Sequence, residues 1–268
     1  MSTHSTQITL ITDFGLSDSY VGQMKGVILN LFPAACIVDI SHQVPPHDIF
    51  SAARLLKESV WCWASGTVHI AVVDPGVGSS RRRIVIETAS AFFVGPDNGI
   101  FSLVAPVNRR LRAVEITKTA FFPEAPKLST FDARDVFAPV GALLAQGADA
   151  LEFGENVDPS SLVELSLPQP AAGEDGSIIG EIVYFDHFGN AVTNIPHAAL
   201  LSLRNKKFFL GSVELDGLAS SYSAIPHGKC AIVINSQSML EIAACRASAK
   251  DLMHLRAGDQ LFVRAVTA

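Results

Sequence analysis

The chain has 268 residues, of which 49% are hydrophobic and 17% are charged, and its formal net charge is −6. This length predicts about two domains, and this much apolar material can form substantial cores. The acidic balance argues against a general nucleic-acid binder, because no basic stripe exists beyond Arg81–Arg83 and Arg109–Arg112. We therefore expect no nucleic-acid partner.

Cysteine usage and hydropathy indicate where the protein works. No apolar run approaches the roughly 20 residues of a membrane span, and the polar start Met1–Thr6 lacks the pattern of a signal peptide. Scattered cysteines without a CxxC pair favour free thiols in a reducing compartment; they are Cys36, Cys62, Cys230 and Cys245. We expect a soluble cytoplasmic protein with no membrane partner.

Strands and helices alternate in the first third of the chain. Apolar runs predict strands at Ile8–Thr12, Cys36–Ile40 and Thr67–Val73. Helices with one apolar face are predicted at Tyr20–Leu31 and Asp48–Val60. This βαβαβ order favours a parallel sheet covered by helices.

The alternation continues less regularly up to residue 150. Further strands are predicted at Arg83–Glu87, Ala91–Val94 and Leu111–Ile116, followed by a helix at Val136–Gln146. We therefore predict that residues 1–150 form an N-terminal α/β domain with a parallel sheet.

Beyond residue 150 the pattern changes twice. Residues 151–176 show no periodicity and are rich in proline and glycine, which predicts a linker. Residues 177–268 then show short strands separated by turns, which predicts a small C-terminal all-β, barrel-like domain. The strands are predicted at Ile178–Phe185, Ala191–Ile195, Lys207–Leu210, Ala231–Ile234, Leu240–Ala243 and Gln260–Val266.

Two predicted strands of the first domain end on a carboxylate followed by a glycine turn. Thr67–Val73 leads into Asp74-Pro75-Gly76-Val77-Gly78, and Ile8–Thr12 leads into Asp13-Phe14-Gly15. Ligands of open α/β sheets bind outside the carboxyl ends of strands. A carboxylate that ends a buried strand is costly unless it has partners or a task. The alternative for either segment alone is a surface turn with scattered charge.

Histidines do not point to a metal. His42, His47 and His69 taken alone are typical of core or surface histidines, and nothing at metal-ligand spacing supports a metal site. We expect no bound metal.

Six short segments taken together resemble one family closely. The family is that of the S-adenosylmethionine (SAM) hydroxide adenosyltransferases, which are relatives of the fluorinases and chlorinases. The segments follow the family's order from residue 8 to about residue 247, and the set is highly specific where a single segment is not. They are Thr12-Asp13-Phe14-Gly15, Asp74-Pro75-Gly76-Val77-Gly78, Pro96-Asp97-Asn98-Gly99, Thr130-Phe131, Phe188-Gly189-Asn190 and Asn235-Ser236.

The resemblance implies a fold, an assembly and a reaction. It implies an N-terminal α/β domain, a C-terminal β-barrel, and a homotrimer with SAM held between the N-terminal domain of one subunit and the C-terminal domain of the next. Water or hydroxide displaces methionine from the ribose 5′ carbon and releases adenosine and L-methionine, with SAM as substrate and no separate cofactor. Halogenating relatives use a halide instead. They carry an inserted loop before the segment matching Pro96–Gly99, and a tyrosine at the position of Asp74, so this chain is similar to the hydrolytic branch.

The resemblance also implies roles for the substrate-binding candidates. Asp13 is expected to accept hydrogen bonds from both ribose hydroxyls, and Asp186 matches the position that holds the methionine ammonium. Asn190 is expected to bond the adenine edge, with Tyr222 as the candidate for stacking. Ser236 is expected to donate to the methionine carboxylate. The remaining substrate-binding candidates are Phe14, Phe188 and Asn235.

Displacement at the 5′ carbon needs no general acid, because the sulfonium leaves as a neutral thioether. It needs a water held in line behind that carbon and partly stripped of solvent. Asp74 is expected to accept a hydrogen bond from that water, with Arg81 fixing the carboxylate.

One position departs from the family pattern. In the hydrolases a histidine completes the network within the segment matching Ser129–Arg134, but this chain has Asp132 there. An acid replaces a neutral imidazole as donor and acceptor only when it is protonated. Asp132 is therefore expected to pair with Arg81 or Arg82, or another histidine, His47 or His187, takes over.

From these observations we predict an active SAM hydrolase with a modified water-activating network, which includes Asp74, Arg81 and Asp132. One alternative is a protein that binds SAM or adenosine without catalysis, which Asp132 favours. The other is a chlorinase-like halogenase.

Overall fold

The structure is a computed structural model that describes residues 6–106, 109–118, 130–203 and 205–265. Two residues of the predicted segments, Ser129 and Val266, lie outside these ranges. The chain divides into two compact units, Met1–Ser166 and Leu167–Ala268, here called the N-unit and the C-unit. Within the described ranges, no helix combines the length and the apolar character needed to cross a bilayer.

The N-unit alternates strands and helices, as predicted. Its strands lie in one seven-stranded sheet with the order β2-β1-β3-β5-β4-β6-β7. The strands are β1 (Gln7–Thr12), β2 (Cys36–Ser41), β3 (Thr67–Val72), β4 (Arg83–Thr88), β5 (Ala91–Pro96), β6 (Arg110–Ile116) and β7 (Gly154–Val157); the helices are α1 (Tyr20–Leu31), α2 (Ile49–Ser59) and α3 (Ala138–Ala145).

The sheet is parallel from β2 to β5 and antiparallel from β5 to β7. β1 pairs in parallel with β2 and β3, and β3 with β5. β4, β6 and β7 extend the sheet in antiparallel pairing. Only Ala89 and Ser90 join β4 to β5, and so short a connection permits only an antiparallel hairpin. The predicted α/β class is confirmed, with a mixed sheet in place of a wholly parallel one.

Helices cover both faces of this sheet because its central strands are apolar on both sides. On β3, Val68 and Ile70 pack into the same core as Met24 of α1 and Val140 of α3. Ala71, on the opposite face, packs into a second core, and residues of α2 are part of that core. The carboxyl ends of β1 and β3 are therefore held in a rigid layer between helices.

Part of the predicted linker belongs to the N-unit. Within residues 151–176, β7 pairs with β6, and the Val163 N–H donates to Asp97 Oδ1 at 2.8 Å. The boundary between the two units falls after Ser166. A four-residue strand is too short to produce a periodic signal in the sequence, and the proline-rich composition hides it.

The C-unit is antiparallel, and its curled, half-barrel sheet confirms the predicted barrel-like class. The strand order is β12-β11-β15-β9-β10-β14-β13, with β8 paired to β9. Its elements are β8 (Ala171–Ala172), β9 (Ile178–Phe185), β10 (Ala191–Pro196), β11 (Lys206–Leu210), β12 (Val213–Glu214), β13 (Cys230–Ile234), β14 (Met239–Ala244), α4 (Ala249–Met253) and β15 (Gln260–Ala265). Sequence analysis misses β8, β12 and α4, which are only two to five residues long.

The N-unit sheet depends on a close approach at Gly95 of β5. A Cβ atom there would lie 2.3 Å from the Ala71 carbonyl oxygen and 2.9 Å from the Phe101 ring. We expect Gly95→Ala to lower the free energy of unfolding by about 2–4 kcal/mol, because the backbone of the neighbouring strand cannot move aside. Urea unfolding followed by circular dichroism measures the change.

The matched control is Gly26→Ala in α1, where an added Cβ meets no atom within 4 Å. Since alanine is favoured over glycine inside a helix, this variant should gain about 0.5–1 kcal/mol. Wild-type stability in Gly95→Ala would contradict the packing described for β5.

Candidate active site

One cavity of about 310 Å³ opens at the carboxyl edge of the N-unit sheet. We call it the N-cavity. Asp13 follows β1 and Asp74 follows β3, and these strands are parallel neighbours, so both carboxylates reach the same edge. The N-cavity is lined by Asp13, Phe14, Tyr20, Pro46, His47, Val72, Asp74, Val77, Thr130, Phe131, Asp132 and Ala133.

Arg81 joins two buried carboxylates behind this cavity. Its Nε donates to Asp74 Oδ1 at 2.9 Å, and its Nη2 donates to Asp74 Oδ2 and, at 2.5 Å, to Asp132 Oδ2. The side chains of Asp74 and Asp132 are only 6% and 2% exposed. Such two-pronged contact fixes a carboxylate in orientation as well as in charge. The three predicted catalytic residues therefore form one connected group.

Arg81, and not Arg82, is the arginine that contacts Asp74 and Asp132. Arg82 turns away from the N-cavity and donates from Nε to Asp97 Oδ2 at 2.8 Å and from Nη2 to the Ser161 carbonyl at 2.6 Å. The second partner of Asp132 is Arg83, whose Nε lies 2.9 Å from Oδ2. Residues two apart in an extended chain point to the same side, which explains why Arg81 and Arg83 act together. The proposed pairing of Asp132 with Arg82 is wrong.

Asp132 is an ionised hydrogen-bond acceptor. Burial raises the pKa of its carboxyl, but the hydrogen bonds and charges of Arg83 and Arg81 outweigh that effect and hold the pKa below its ordinary value. Asp132 therefore has no proton to donate near neutral pH, unlike an imidazole. Of the two histidines considered as substitutes, His47 lines the N-cavity and His187 belongs to the C-unit.

His42 holds the tip of β1 that carries Asp13. Its Nδ1 lies 2.8 Å from Thr12 Oγ1, and its carbonyl accepts the Gly15 N–H at 2.8 Å, so the tip is bound on both sides. Its Nε2 lies 3.0 Å from Asp39 Oδ1, which fixes the ring. Sequence analysis treats His42 as an ordinary core or surface histidine and misses this role.

Three aromatic rings form one wall of the N-cavity. Phe14, Tyr20 and Phe131 contact one another edge to face, with ring centroids 5.2 to 5.8 Å apart. The helical pattern predicts Tyr20 on the buried face of α1, yet this residue is 45% exposed. An apolar wall beside two carboxylates suits a ligand that is part polar and part apolar.

A second cavity, of about 560 Å³, lies within the C-unit. We call it the C-cavity. Four predicted substrate-binding residues, Asp186, Phe188, Asn190 and Tyr222, line it together with Ala244, Arg246, Ala247 and Ser248. The Phe188 side chain is 74% exposed, and an exposed aromatic ring beside a cavity is typical of a binding surface.

The Asp186 carboxylate orders the loop that carries these residues. Oδ1 accepts the N–H groups of Phe188 at 2.9 Å and of Asn190 at 2.8 Å, and Oδ2 accepts the Asn190 side-chain amide at 2.8 Å. Gly189 has φ +80°, and a Cβ there would collide with Ser248. The motif Phe188-Gly189-Asn190 is therefore a turn that places an amide and an aromatic ring side by side.

Asn235 and Ser236 do not line the C-cavity. The Asn235 Oδ1 accepts the N–H groups of Gln237 and Met239, both at 3.0 Å, and so shapes the turn between β13 and β14. Ser236 is exposed on that turn. Their predicted contacts with substrate stay predictions.

The sequence analysis also misses Glu241, which is 3% exposed on β14. Its carboxylate accepts a hydrogen bond from the Tyr222 hydroxyl at 2.9 Å. The sequence feature that could have pointed to Glu241 is its position as an acid inside the apolar run of β14 (Met239–Ala244). Among the residues that the structure describes, no three His, Cys, Asp or Glu side chains are grouped so that they could hold a metal ion.

Comparison with known proteins identifies the family. The model of the SAM hydroxide adenosyltransferase N-terminal domain matches residues 8–154, and that of the C-terminal domain matches residues 180–262. The chain belongs to the SAM hydroxide adenosyltransferase family. The resemblance stated from the sequence motifs is thereby confirmed.

Two hydrolases resemble the chain over nearly its whole length. An (R)-S-adenosyl-L-methionine hydrolase of Salinispora arenicola is 36% identical, with 96% of this chain and 97% of the relative covered. A hydrolase of the same name from Salinispora tropica is 35% identical, and again 96% of this chain and 97% of the relative are covered. Fluorinases match at 25–27% identity. A crystal structure of an uncharacterized conserved protein from Thermotoga maritima has a TM-score of 0.86 at 32% identity and covers 96% of this chain and 99% of its own.

The lowered pKa of Asp132 predicts how the stability of the protein varies with pH. The unfolded carboxyl, at its ordinary value of 3.8, takes up its proton at a higher pH than the folded one. The stabilisation is therefore present above that value and is lost as the pH falls through the folded pKa. Asp132→Asn cannot ionise, so we expect it to lose less free energy of unfolding than wild type between neutral pH and about pH 3.

Urea unfolding at a series of pH values measures both slopes. At neutral pH the variant should also be less stable by about 1–3 kcal/mol, because Arg81 and Arg83 lose a charged partner. Identical pH slopes in the two proteins would show that Asp132 does not carry this ion-pair stabilisation.

Proposed function

We propose that this protein is a SAM hydrolase, which uses water to displace L-methionine from the ribose 5′ carbon and releases adenosine. Its family and its relatives named (R)-S-adenosyl-L-methionine hydrolase support this activity. The single observation that carries the proposal is the pair of carboxylates, Asp13 and Asp74, that face one cavity from adjacent parallel strands.

The chemistry requires little more than a correctly placed water. The water oxygen forms a bond to the 5′ carbon while the carbon–sulfur bond breaks and its electron pair leaves with sulfur. Because the sulfonium becomes a neutral thioether, the reaction needs neither a general acid nor a further cofactor. The proton that the water loses passes to Asp74 and then to solvent. Arg81 occupies one side of this carboxylate, and the lone pairs on its other side can aim the water.

The rest of the N-cavity suits the ribose and the sulfonium. Asp13 Oδ2 accepts a hydrogen bond from the backbone N–H of His47 at 2.9 Å. A carboxylate has further lone pairs for the ribose hydroxyls. The rings of Phe14, Tyr20 and Phe131 attract a sulfonium cation through their faces and exclude water from the reacting carbon.

Asp132 plays a supporting part in this scheme. As an anion clamped by Arg81 and Arg83, it holds the guanidinium that orients Asp74 and transfers no proton. This is a modified form of the network that the family resemblance implies. The same fact favours a second candidate function, a protein that binds SAM or adenosine without turnover, because Asp132 cannot donate to a water.

The C-cavity is proposed to hold the two ends of SAM. Asp186 supplies the negative charge for the methionine ammonium, and Asn190 and Tyr222 contact the adenine edge and face. Phe188 adds a second aromatic surface. We keep Ser236 as a donor to the methionine carboxylate and Asn235 as the residue that shapes its turn.

We further propose a homotrimer in which the N-cavity of one subunit and the C-cavity of the next enclose one SAM molecule. The division of the predicted contacts between two separately folded units supports this assembly, since each cavity holds only part of the set. A cytoplasmic location is also proposed, which the four free cysteines support.

The proposed function is tested by incubating the purified protein with SAM and measuring adenosine by chromatography. We expect Asp74→Ala to lower turnover by at least about 100-fold, because the water loses its acceptor, while adenosine binding measured by calorimetry stays within about threefold of wild type. Glu155→Gln is the matched control, on the exposed surface of β7 with three strands between it and β3.

The outcomes separate the candidate functions. Adenosine binding without product supports the non-catalytic binder, and 5′-chloro-5′-deoxyadenosine formed only with chloride supports the halogenase. Normal turnover in Asp74→Ala would falsify the role of Asp74.

Subunit mixing tests the shared site. Asp74→Ala damages the N-cavity, and Asp186→Asn removes the charge from the C-cavity. If one SAM lies between two subunits, a working site needs the intact N-cavity of an Asp186→Asn subunit next to the intact C-cavity of an Asp74→Ala subunit. Random assembly of both variants in equal amounts should therefore restore about a quarter of the wild-type sites. Analytical ultracentrifugation checks the trimer, and activity of the mixture no higher than the mean of the two variants would rule out the shared site.

A further inference from the structure

Glu241 occupies a position in the C-unit sheet where an acid is unexpected. It lies on β14, opposite Val192 of β10 and Val233 of β13, and its side chain is almost fully buried. Leu240 and Ile242, its neighbours in the chain, pack into the main C-unit core. Because side chains alternate along a strand, Glu241 faces the other side of the sheet.

That other side is covered by the segment that contains Tyr222. Ala243 on the Glu241 face of β14 packs with Val233, Ile225 and Ala219 in a small separate core. Residues 219–225 therefore lie over β13 and β14, and Tyr222 sits between this core and the C-cavity. Glu241 is the acid beneath that segment.

The two polar neighbours of Glu241 that favour its charged form are neutral. The Tyr222 hydroxyl donates to Oε1 at 2.9 Å, and the nearby Asn235 side chain also lowers the pKa of the carboxyl. Burial raises the pKa of Glu241 and the charge of Asp186 adds to this, against the opposite effect of Tyr222 and Asn235. Burial and the bond to Glu241 raise the pKa of Tyr222 to about 12, so the phenol remains a donor.

Stability does not explain an acid at this position. A buried carboxyl with neutral partners is costly compared with an apolar side chain of similar size. What the carboxyl does is hold the hydroxyl of Tyr222, a residue that sequence analysis assigns to substrate and that lines the C-cavity.

We propose that Glu241 is a positioning residue for substrate: it fixes the Tyr222 ring as a wall of the C-cavity. This inference rests on the proposed function, because it assigns a purpose to the same cavity. Glu241 does not touch the reacting atoms. Its effect is therefore on binding, and the rate of the bound complex is expected to change little.

The test uses the full-length protein with Glu241→Met, which removes the acceptor but keeps the length of the side chain. We expect the KM for SAM and the Kd for adenosine to rise about tenfold, with kcat within about twofold of wild type, because the hydrogen bond that holds the Tyr222 ring is lost. The melting temperature should stay equal or rise, since the buried acid is replaced by an apolar group. Glu241→Gln keeps one acceptor and should show a smaller rise.

Tyr222→Phe tests the coupling from the other partner. We expect it also to weaken binding, and the double variant with Glu241→Met to be no weaker than the weaker single variant, because the same bond is removed twice. Additive effects would overturn the proposal. The matched control is Glu214→Gln, an exposed acid of β12 paired with Lys207, which should leave KM and Kd unchanged.

The remaining outcomes are equally decisive. A lower melting temperature in Glu241→Met with unchanged KM and Kd would assign the acid to folding and overturn the proposal. If Glu241→Met fails to fold, Tyr222→Phe decides, and unchanged binding in that variant overturns it. Wild type that forms no adenosine from SAM ends the hydrolase proposal alone, because calorimetry with added adenosine still tests the role of Glu241. Wild type that does not bind adenosine overturns both.

Discussion

The contact on which the rest of the site depends is the guanidinium of Arg81 between the carboxylates of Asp74 and Asp132. Two carboxylates this deeply buried repel each other, and a cation between them offsets that repulsion. Arg81 meets Asp74 with two nitrogen atoms and shares one of them with Asp132, and Arg83 completes the neutralisation from the same side of the chain. The consequence is an Asp74 side chain that lines the N-cavity in one fixed orientation.

The fold places this contact where a small molecule can reach it. Parallel pairing of β1 and β3 brings Asp13 and Asp74 to one edge of a sheet that helices cover on both faces. His42 then binds the tip of β1 from both sides. The C-unit follows a similar principle with different parts, because Asp186 orders its own loop and Glu241 holds Tyr222 from beneath. In both units buried polar contacts hold the side chains that line the cavities in a single arrangement, and such preorganisation is what a displacement reaction requires.

Much of this could be predicted from the sequence, and the failures have physical reasons. Strand-end carboxylates followed by glycine turns pointed to Asp13 and Asp74, because a βαβ order leaves few ways to arrange the strands. The choice between Arg81 and Arg82 depended on which side of an extended chain each one faces, and that depends on where β4 begins. Tyr20 belongs to the apolar face predicted for α1, and helical periodicity does not distinguish a buried ring from one that faces a cavity. Glu241 escapes sequence analysis because its hydrogen-bond partner, Tyr222, is 19 positions away.

By itself the sequence determined the two-part organisation, the α/β and all-β classes, the family, and the residue types that its motifs carry. These depend on local periodicity, turn chemistry and motif order, which are properties of neighbouring residues. Only the tertiary structure decided that Asp132 is clamped as an anion by Arg81 and Arg83, that His42 holds the tip of β1, and that Glu241 lies beneath Tyr222. Charge state and side-chain direction follow from burial and from partners distant in the chain, and those are set only when the strands have found their neighbours.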